Sequence, residues 1–237
     1  MRLVQQIIYL ILVTLGGLFL GILGTWWNWD NQNTDAKLKD VFFEILPDLS
    51  YIEESIPNYI LVVQYVLGFL SLEYKKMFQY AGQYIFLQSI LTSVRALTTS
   101  LTIMPNIHVY PYCTKEVDNF FQVLYYMMMY GTCGDYIFSG HTASAFLTYM
   151  FVHRHKKAYW WEFISGLLLG LMVTFLLLMR WHYSVDIVIA CLLTWFLFRF
   201  YKRYEDPEKW FYFDAFQLTT NNKGRRKRVI LSNRSGN

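Results

Sequence analysis

Four ionisable residues interrupt the apolar stretches of this 237-residue chain: Arg95, His141, His182 and Asp186. Such groups are costly inside a membrane, so they are functional hypotheses by default. His182 and Asp186 are spaced i, i+4 and on a helix share one face, where the carboxylate can hold one imidazole nitrogen protonated and leave the other as base or nucleophile. His141 lies two predicted helices away, and an up-and-down path brings it back to the same depth. Two histidines and an aspartate can therefore converge.

Phosphoryl transfer is the chemistry that fits this set. A histidine oriented by an aspartate can attack phosphorus and form a phospho-histidine, while a second histidine protonates the departing alkoxide and then deprotonates the incoming acceptor. Ser139 and Gly140, just before His141, offer close backbone approach and N–H donors near a helix start. Arg95 supplies fixed positive charge for the same phosphate oxygens.

The same residues admit other interpretations. Two histidines and one aspartate are acceptable zinc ligands. Ionisable groups within spans also serve proton relays and ion paths, and a single membrane histidine is often only a packing group. The polar set is confined to one leaflet, whereas a transport path needs polar groups at several depths, so the pattern favours chemistry.

The elements that must position these residues are membrane helices. The chain is 55% hydrophobic and 16% charged, whereas soluble domains carry roughly 25% charged residues. Runs long enough to cross a hydrocarbon core of roughly 30 Å occur at about 4–26, 57–72, 77–97, 136–152, 159–179 and 183–200. The sequence therefore predicts an all-α, polytopic membrane protein with a bundle of six transmembrane helices. Gly17 and Gly21 give the first helix a small-residue face for close helix packing.

The distribution of charge predicts the orientation of these helices. Basic residues follow the second, fourth and sixth predicted spans: Lys75, Lys76, Arg154, Lys156, Lys157 and the C-terminal tail. The first connecting loop, 30–56, is mostly acidic. Positive residues favour the cytosolic side, so both termini are expected in the cytosol and the ionisable set on the luminal or exterior side.

One membrane domain is expected over residues 1–202, followed by a basic cytosolic tail over 203–237. A basic run beside so much apolar chain fits an anionic leaflet better than nucleic acid, so no nucleic-acid partner is predicted. Cys113 and Cys133 fall on the luminal side, where disulfides persist. The sequence leaves open whether the two cysteines form a disulfide bridge or are two unpaired thiols.

Four motifs in order resemble the sphingomyelin synthase family, relatives of the type-2 phosphatidic acid phosphatases. "CGDYIFSGHT" (133–142) is close to the third signature of that family, and "HYSVD" (182–186) is close to the fourth. "RALTTSLTIMP" (95–105) and "ILPD" (45–48) are weaker matches to the earlier two. The resemblance covers residues about 45–200 and implies six spans with a luminal active site.

The resemblance implies a catalytic triad with His182 as nucleophile, Asp186 as its orienter and His141 as acid and base. Arg95, Ser139, Gly140 and Asp135 are the candidate substrate-binding residues, and Asp135 is also a candidate cap for the fourth span. The implied reaction moves a phospho-headgroup from a glycerophospholipid to ceramide and releases diacylglycerol. No metal or cofactor is expected.

The "SGHT" form resembles choline- and ethanolamine-type enzymes, so phosphocholine is the first prediction for the headgroup and phosphoethanolamine the second. The resemblance implies a multi-pass protein of the Golgi, endoplasmic reticulum or plasma membrane, and the sequence is compatible with a homo-oligomer. With water as acceptor the same triad makes a phospholipase C or lipid phosphatase. Phe175, where a phosphatase would carry its second arginine, counts against a phosphatase. A non-enzymatic lipid scramblase or scaffold is the alternative from a different class.

Overall fold

A computed structural model of the chain describes residues 3–28, 38–52, 55–101, 121–122, 125 and 137–204. The regular structure in these ranges is helical, without strands. Seven α-helices are used below: α1 Leu3–Asn28, α2 Val41–Ile45, α3 Ile56–Ser71, α4 Met77–Leu101, α5 Gly140–His155, α6 Tyr159–Leu178 and α7 Ser184–Tyr204. A 3₁₀ turn over Tyr74–Lys76 joins α3 to α4.

The six predicted helices coincide with α1, α3, α4, α5, α6 and α7, while α2 is a short helix within the acidic loop. The prediction for the fourth helix was wrong at its start, because residues 137–139 are not helical and α5 begins at Gly140. His141 consequently lies in the first turn of its helix. Two helices in the described ranges, Tyr159–Leu178 and Ser184–Tyr201, are long and apolar enough to cross a membrane. The count of six spans stays a prediction.

Helix α5 lies at the centre of the bundle and contacts α3, α4, α6 and α7. Its buried side is rich in small and hydroxylated residues, namely Thr142, Ala143, Ser144, Ala145 and Thr148. Small side chains let neighbouring helices approach closely, and hydroxyls can bond across helix interfaces. A helix surrounded by other helices does not need a lipid-compatible surface, which explains why its apolar run in the sequence is short.

Helix α1 packs against α4. A Cβ added at Gly17 would lie 2.6 Å from Ser93 Oγ, and one added at Gly21 would lie 3.8 Å from the Cβ of Ala96. The predicted use of these glycines in close helix packing is therefore confirmed. Thr14 and Ser89 add a hydroxyl–hydroxyl hydrogen bond of 2.7 Å across the same interface.

The outer faces of three helices present large apolar side chains: Leu12, Leu15 and Phe19 on α1, Phe163 and Leu167 on α6, and Leu192, Phe196 and Phe200 on α7. Exposed apolar surface of this extent is unusual for a soluble monomer. Hydrocarbon is the environment that such faces suit.

The two ends of the bundle differ in chemistry. Arg95 near the end of α4, His141 at the start of α5 and Asp186 at the start of α7 lie at one end. The basic segments 74–76 and 154–157 lie at the other, where the Lys157 N–H donates to the Ser71 carbonyl (3.2 Å). The helix bounds thus separate the ionisable set from the basic loops, as an up-and-down path requires.

Several predicted features lie outside the described residues. They are Asp135, Cys113, Cys133, residues 102–105 of the "RALTTSLTIMP" motif and residues 205–237 of the tail. Cys191, which the structure does describe, is a partly buried free thiol in α7.

Candidate functional site

His182 lies in a tight turn between α6 and α7, within the "RWHYS" segment (180–184) that the sequence predicts as a turn. Arg180 adopts a left-handed backbone conformation (φ 58°) at the start of this turn, which is uncommon for a residue with a side chain. The Tyr183 N–H donates to Asp186 Oδ2 (3.1 Å), so the Asp186 carboxylate reaches back over the first turn of α7, as a capping residue does.

His182 and Asp186 meet, although His182 precedes the helix instead of sharing its face. His182 Nδ1 lies 3.8 Å from Asp186 Oδ2. This separation is too long for a direct hydrogen bond between these two atoms, but it is short enough for a protonated imidazole and a carboxylate to form an ion pair. Both are buried, with 5% of His182 and none of Asp186 exposed.

The two sequence motifs are joined by one backbone hydrogen bond. The Ser139 N–H donates to the carbonyl of Asp186 (3.3 Å), which fixes the start of α5 beside the first turn of α7. This contact joins residues that are 47 positions apart and holds the N-cap of α5 in register with the first turn of α7. The sequence pattern did not predict it.

Ser139 differs from the prediction of a phosphate-facing residue. Its side chain is fully buried, accepts a hydrogen bond from the Thr142 N–H (3.2 Å) and so caps α5. Its N–H is occupied by Asp186. The first-turn N–H groups left without a helical acceptor belong to Gly140 and His141, and such groups attract anions.

His141 is held by a residue that the sequence analysis missed. Its Nε2 lies 2.7 Å from Oδ1 of Asn58, in the first turn of α3. The Trp181 ring packs edge-on against the imidazole with centroids 5.6 Å apart. His141 is also close enough to His182 and Arg95 for their charges to interact with it. Asn58, a polar residue opening the apolar run "YILVV", was the available signal.

Arg95 lies directly against Gly140. A Cβ built at position 140 would overlap with Nη1 of Arg95 and would lie 2.9 Å from its Cζ. A residue with any side chain would thus displace the guanidinium. This contact brings a fixed positive charge to the N-terminus of α5, where the helix dipole also favours an anion. The phosphate-binding role of Arg95 stays a prediction.

A cavity of about 220 Å³ opens beside these groups between α4 and α5. Arg95, Gly140 and His141 line one part of it, and Leu61, Leu91 and Phe138 contribute apolar walls. A cavity that combines apolar walls with a few convergent polar groups is typical of a small-molecule site. Here those walls suit hydrocarbon and the polar groups suit an anion.

Residues 38–49, called the strap below, fasten the turn that carries His182. The Leu38 N–H donates to the Tyr183 hydroxyl (3.2 Å), and the Ser184 N–H donates to Asp40 Oδ2 (2.6 Å). The Arg180 guanidinium donates to the Phe43 carbonyl (2.7 Å). Asp40 therefore supplies a negative charge at the N-terminus of α7, where the helix dipole favours one.

The "ILPD" motif forms the second half of the strap. The Leu46 carbonyl accepts a hydrogen bond from Arg180 (3.2 Å), and the Leu49 N–H donates to the Leu178 carbonyl (2.9 Å). The motif therefore contacts the turn through the Leu46 carbonyl and through the Asp48 carboxylate, whose Oδ2 lies 3.8 Å from Arg180 Nε. The residues of the motif alone did not predict that it lies beside the turn that carries His182.

Metal coordination was an open interpretation of His141, His182 and Asp186. In the described part of the chain, no three His, Cys, Asp or Glu side chains are grouped so as to hold a metal ion.

The resemblance predicted from the motifs is confirmed by comparison with known proteins. Residues 132–203 match the family model described as "PAP2 superfamily C-terminal". Human phosphatidylcholine:ceramide cholinephosphotransferase 1 is 39% identical over 71 residues, which are 29% of this chain and 17% of the relative. Human phosphatidylcholine:ceramide cholinephosphotransferase 2 is 26% identical over 174 residues, which are 66% of this chain and 47% of the relative.

The matched region spans less than half the length of either human relative. The family-model match over residues 132–203 includes the turn before α7 and the starts of α5 and α7. All three residues of the predicted triad lie within it.

Proposed function

We propose that this chain is a membrane phosphotransferase that moves a phospho-headgroup from a glycerophospholipid to ceramide and releases diacylglycerol. The proposal rests on one observation: the "SGHT" segment (139–142) and the "HYSVD" segment (182–186) lie together at one end of the bundle. The Ser139–Asp186 backbone bond joins them, and Arg95 lies against Gly140 beside the same cavity. The names of the two human relatives support ceramide and phosphatidylcholine as the substrates.

In the first step, the His182 imidazole attacks the phosphorus of the donor lipid and the bond to the glycerol oxygen breaks. His141 gives its proton to that oxygen, which leaves as diacylglycerol. Asp186 stabilises the positive charge on the imidazole of His182. Arg95 and the first-turn N–H groups of α5 bind the phosphate oxygens.

In the second step, His141 takes the proton of the primary hydroxyl of ceramide. The resulting alkoxide attacks phosphorus, the phosphorus–nitrogen bond breaks, and His182 returns to its starting form. Every proton and leaving group is accounted for, and neither step calls for a metal ion.

Asn58 supports the role of His141. Its carbonyl oxygen accepts only, so an Nε2–H bond to Oδ1 (2.7 Å) leaves Nδ1 of His141 as the nitrogen that exchanges protons. Asn58 thereby acts as a positioning residue for the acid and base.

The finer parts of the proposal extend the sequence predictions. The catalytic domain comprises residues 1–202, its active end faces the lumen or exterior, and both termini lie in the cytosol. Phosphocholine is the proposed headgroup, supported by the names of the relatives. Phosphoethanolamine is the second candidate.

The decisive experiment offers the purified, reconstituted chain labelled ceramide together with phosphatidylcholine, phosphatidylethanolamine and phosphatidylinositol. A labelled product with the mass of phosphocholine-ceramide, formed together with diacylglycerol, is the expected result. A phosphoethanolamine product would change the headgroup alone. Diacylglycerol formed without any ceramide product would make the chain a hydrolase and would contradict the proposal.

A further inference from the structure

The cavity beside the site continues past Arg95 toward the middle of the bundle. Its deeper wall is formed by Gln88 and Thr92 of α4 and Ser144 of α5. Gln88 Nε2 donates to Ser144 Oγ (2.8 Å), so the amide is fixed in place across the cavity wall. The Thr92 hydroxyl donates to the Gln88 carbonyl (2.9 Å) and is thus used within its own helix.

The side-chain oxygen of Gln88 is left without a donor. Oε1 is buried, and no group in the described part of the chain hydrogen-bonds to it. A buried acceptor without a donor is costly, and native structures satisfy nearly all of them. The empty volume next to Gln88 is where a donor from a bound molecule can lie.

The position of Gln88 relative to the phosphate groups indicates which donor this is. The Arg95 guanidinium lies against Gly140, whereas the Gln88 amide lies against Ser144. These two α5 residues are four positions apart, about 6 Å along a helix. A hydrogen-bond donor is therefore expected about one helical turn deeper than the phosphorus.

The two lipids of the proposed reaction differ in this respect. The glycerol backbone of a diacyl phospholipid carries ester oxygens, which only accept hydrogen bonds. Ceramide carries an amide N–H and a secondary hydroxyl, both within two carbons of the primary hydroxyl that reacts. We infer that Gln88 is a specificity-determining residue whose Oε1 accepts a hydrogen bond from this polar group of ceramide. The inference rests on the proposed function and names the residue that selects the acceptor.

The test uses the full chain in vesicles and compares wild type with Gln88→Met. This substitution keeps the length of the side chain and removes its hydrogen-bond acceptor. Three short-chain acceptors are offered: ceramide, its N-methyl analogue and its 3-O-methyl analogue. Wild type is expected to lose about tenfold in kcat/KM with the analogue that lacks the bound donor, the effect of one good hydrogen bond. Gln88→Met is expected to lose about tenfold with ceramide itself, mostly through KM, and to treat all three acceptors alike.

Two controls separate recognition from general damage. Gln79→Met, on the same helix outside the cavity lining, is expected to behave like wild type. Hydrolysis of the donor phospholipid by water needs no ceramide, so Gln88→Met is expected to reduce this hydrolysis much less than it reduces transfer to ceramide. Wild type that does not distinguish the analogues, or Gln88→Met that loses hydrolysis and transfer alike, would overturn the inference.

A binding measurement distinguishes failure of this inference from failure of the proposed function. Short-chain ceramide is expected to raise the melting temperature of wild type more than a matched diacylglycerol does, and Gln88→Met is expected to abolish that difference. If wild type makes no ceramide product but shows this binding pattern, the proposed function fails while the Gln88 assignment stands. If transfer occurs and the binding pattern is the same in both proteins, the Gln88 assignment fails alone.

Discussion

Two histidine–carboxylate pairs in the described part of the chain lie at opposite ends of the bundle. The pair with the shorter nitrogen–oxygen distance is not the one that marks the candidate site. His153 Nδ1 is 2.5 Å from Glu162 Oε1, at the end of the molecule that carries the basic loops. His182 Nδ1 is 3.8 Å from Asp186 Oδ2. The side chain of His153 is 59% exposed, whereas that of His182 is 6% exposed.

The difference shows that surroundings matter more than distance in identifying a site. Glu162 also bonds Lys156, so its charge is already balanced by a neighbour in sequence. Exposed ion pairs of this kind contribute roughly 0–1 kcal/mol. His182 of the buried pair instead lies near a second histidine, His141, which in turn lies near Arg95 and lines a cavity. Each prediction below tests one part of this contrast.

The largest expected effect is at the buried pair. His182→Ala and His141→Ala each remove a reacting group, so headgroup transfer is expected to fall by about a thousandfold or more. His153→Ala removes a histidine from the exposed pair and is expected to leave transfer unchanged. The measurement is ceramide-product formation by reconstituted protein, with a melting curve for each variant. Transfer that persists in folded His182→Ala would remove the catalytic assignment.

The contact between Arg95 and Gly140 gives the next largest effect. A methyl group at position 140 overlaps with the end of a flexible arginine side chain, so Gly140→Ala is expected to displace the guanidinium without unfolding the protein. Loss of positioning of this kind costs about ten- to a hundredfold in rate.

The matched control for Gly140→Ala is Gly170→Ala in α6, where an added Cβ meets nothing within 4 Å. It is expected to retain wild-type activity and to be as stable or slightly more stable. Equal losses in both variants would mean that glycine itself, and not the arginine contact, determines the effect.

The strap is expected to have a moderate effect. Asp40→Ala removes the acceptor of the Ser184 N–H at the start of α7 and of the Phe42 N–H at the start of α2. Loss of such a cap costs about 0.5–2 kcal/mol of unfolding free energy. Because Asp40 holds the turn with His182, kcat is expected to fall several-fold with little change in KM.

Glu44→Ala, an exposed acidic residue of the same strap, is the comparison for Asp40→Ala. Its unfolding free energy is expected to change by less than about 0.5 kcal/mol. A kcat loss in both variants would show that strap charge in general, rather than the cap, matters.

The smallest expected effect is at the exposed pair itself. Glu162→Gln removes the carboxylate that pairs with His153 and Lys156. The unfolding free energy is expected to fall by no more than about 1 kcal/mol, and the loss should shrink in high salt because exposed pairs are screened. A salt-independent loss of transfer activity in this variant would contradict the contrast, because it would show that the exposed pair also matters for the reaction.

The sequence predicted what local pattern and unusual residue type can reveal. Six helices followed from apolar runs, and His141, His182 and Asp186 stood out because ionisable groups are rare in such runs. Asn58 and Gln88 did not stand out, since a single amide in a helix has many ordinary roles and its partner lies on another helix. The Asp40–Ser184 contact joins residues 144 positions apart, and pairing over such a separation depends on tertiary packing.

Helix boundaries show the same limit at shorter range. The apolar run around Ile137 and Phe138 suggested that the fourth helix had already begun there. The structure instead starts α5 at Gly140, because Ser139 caps it and uses its own N–H to bond Asp186. A tertiary contact therefore decides where the helix begins.

The bond between Ser139 and Asp186 has a consequence for how variable the site can be. Both partners are main-chain groups, so the alignment of the two motifs is not encoded by either side chain. Substitutions at position 139 can alter the cap of α5 while the donor that aligns the helices persists. Proline is the one replacement that deletes this donor, since it has no N–H. The relative position of His141 and His182 is therefore expected to tolerate most amino-acid substitutions at positions 139 and 186, as far as it depends on this bond.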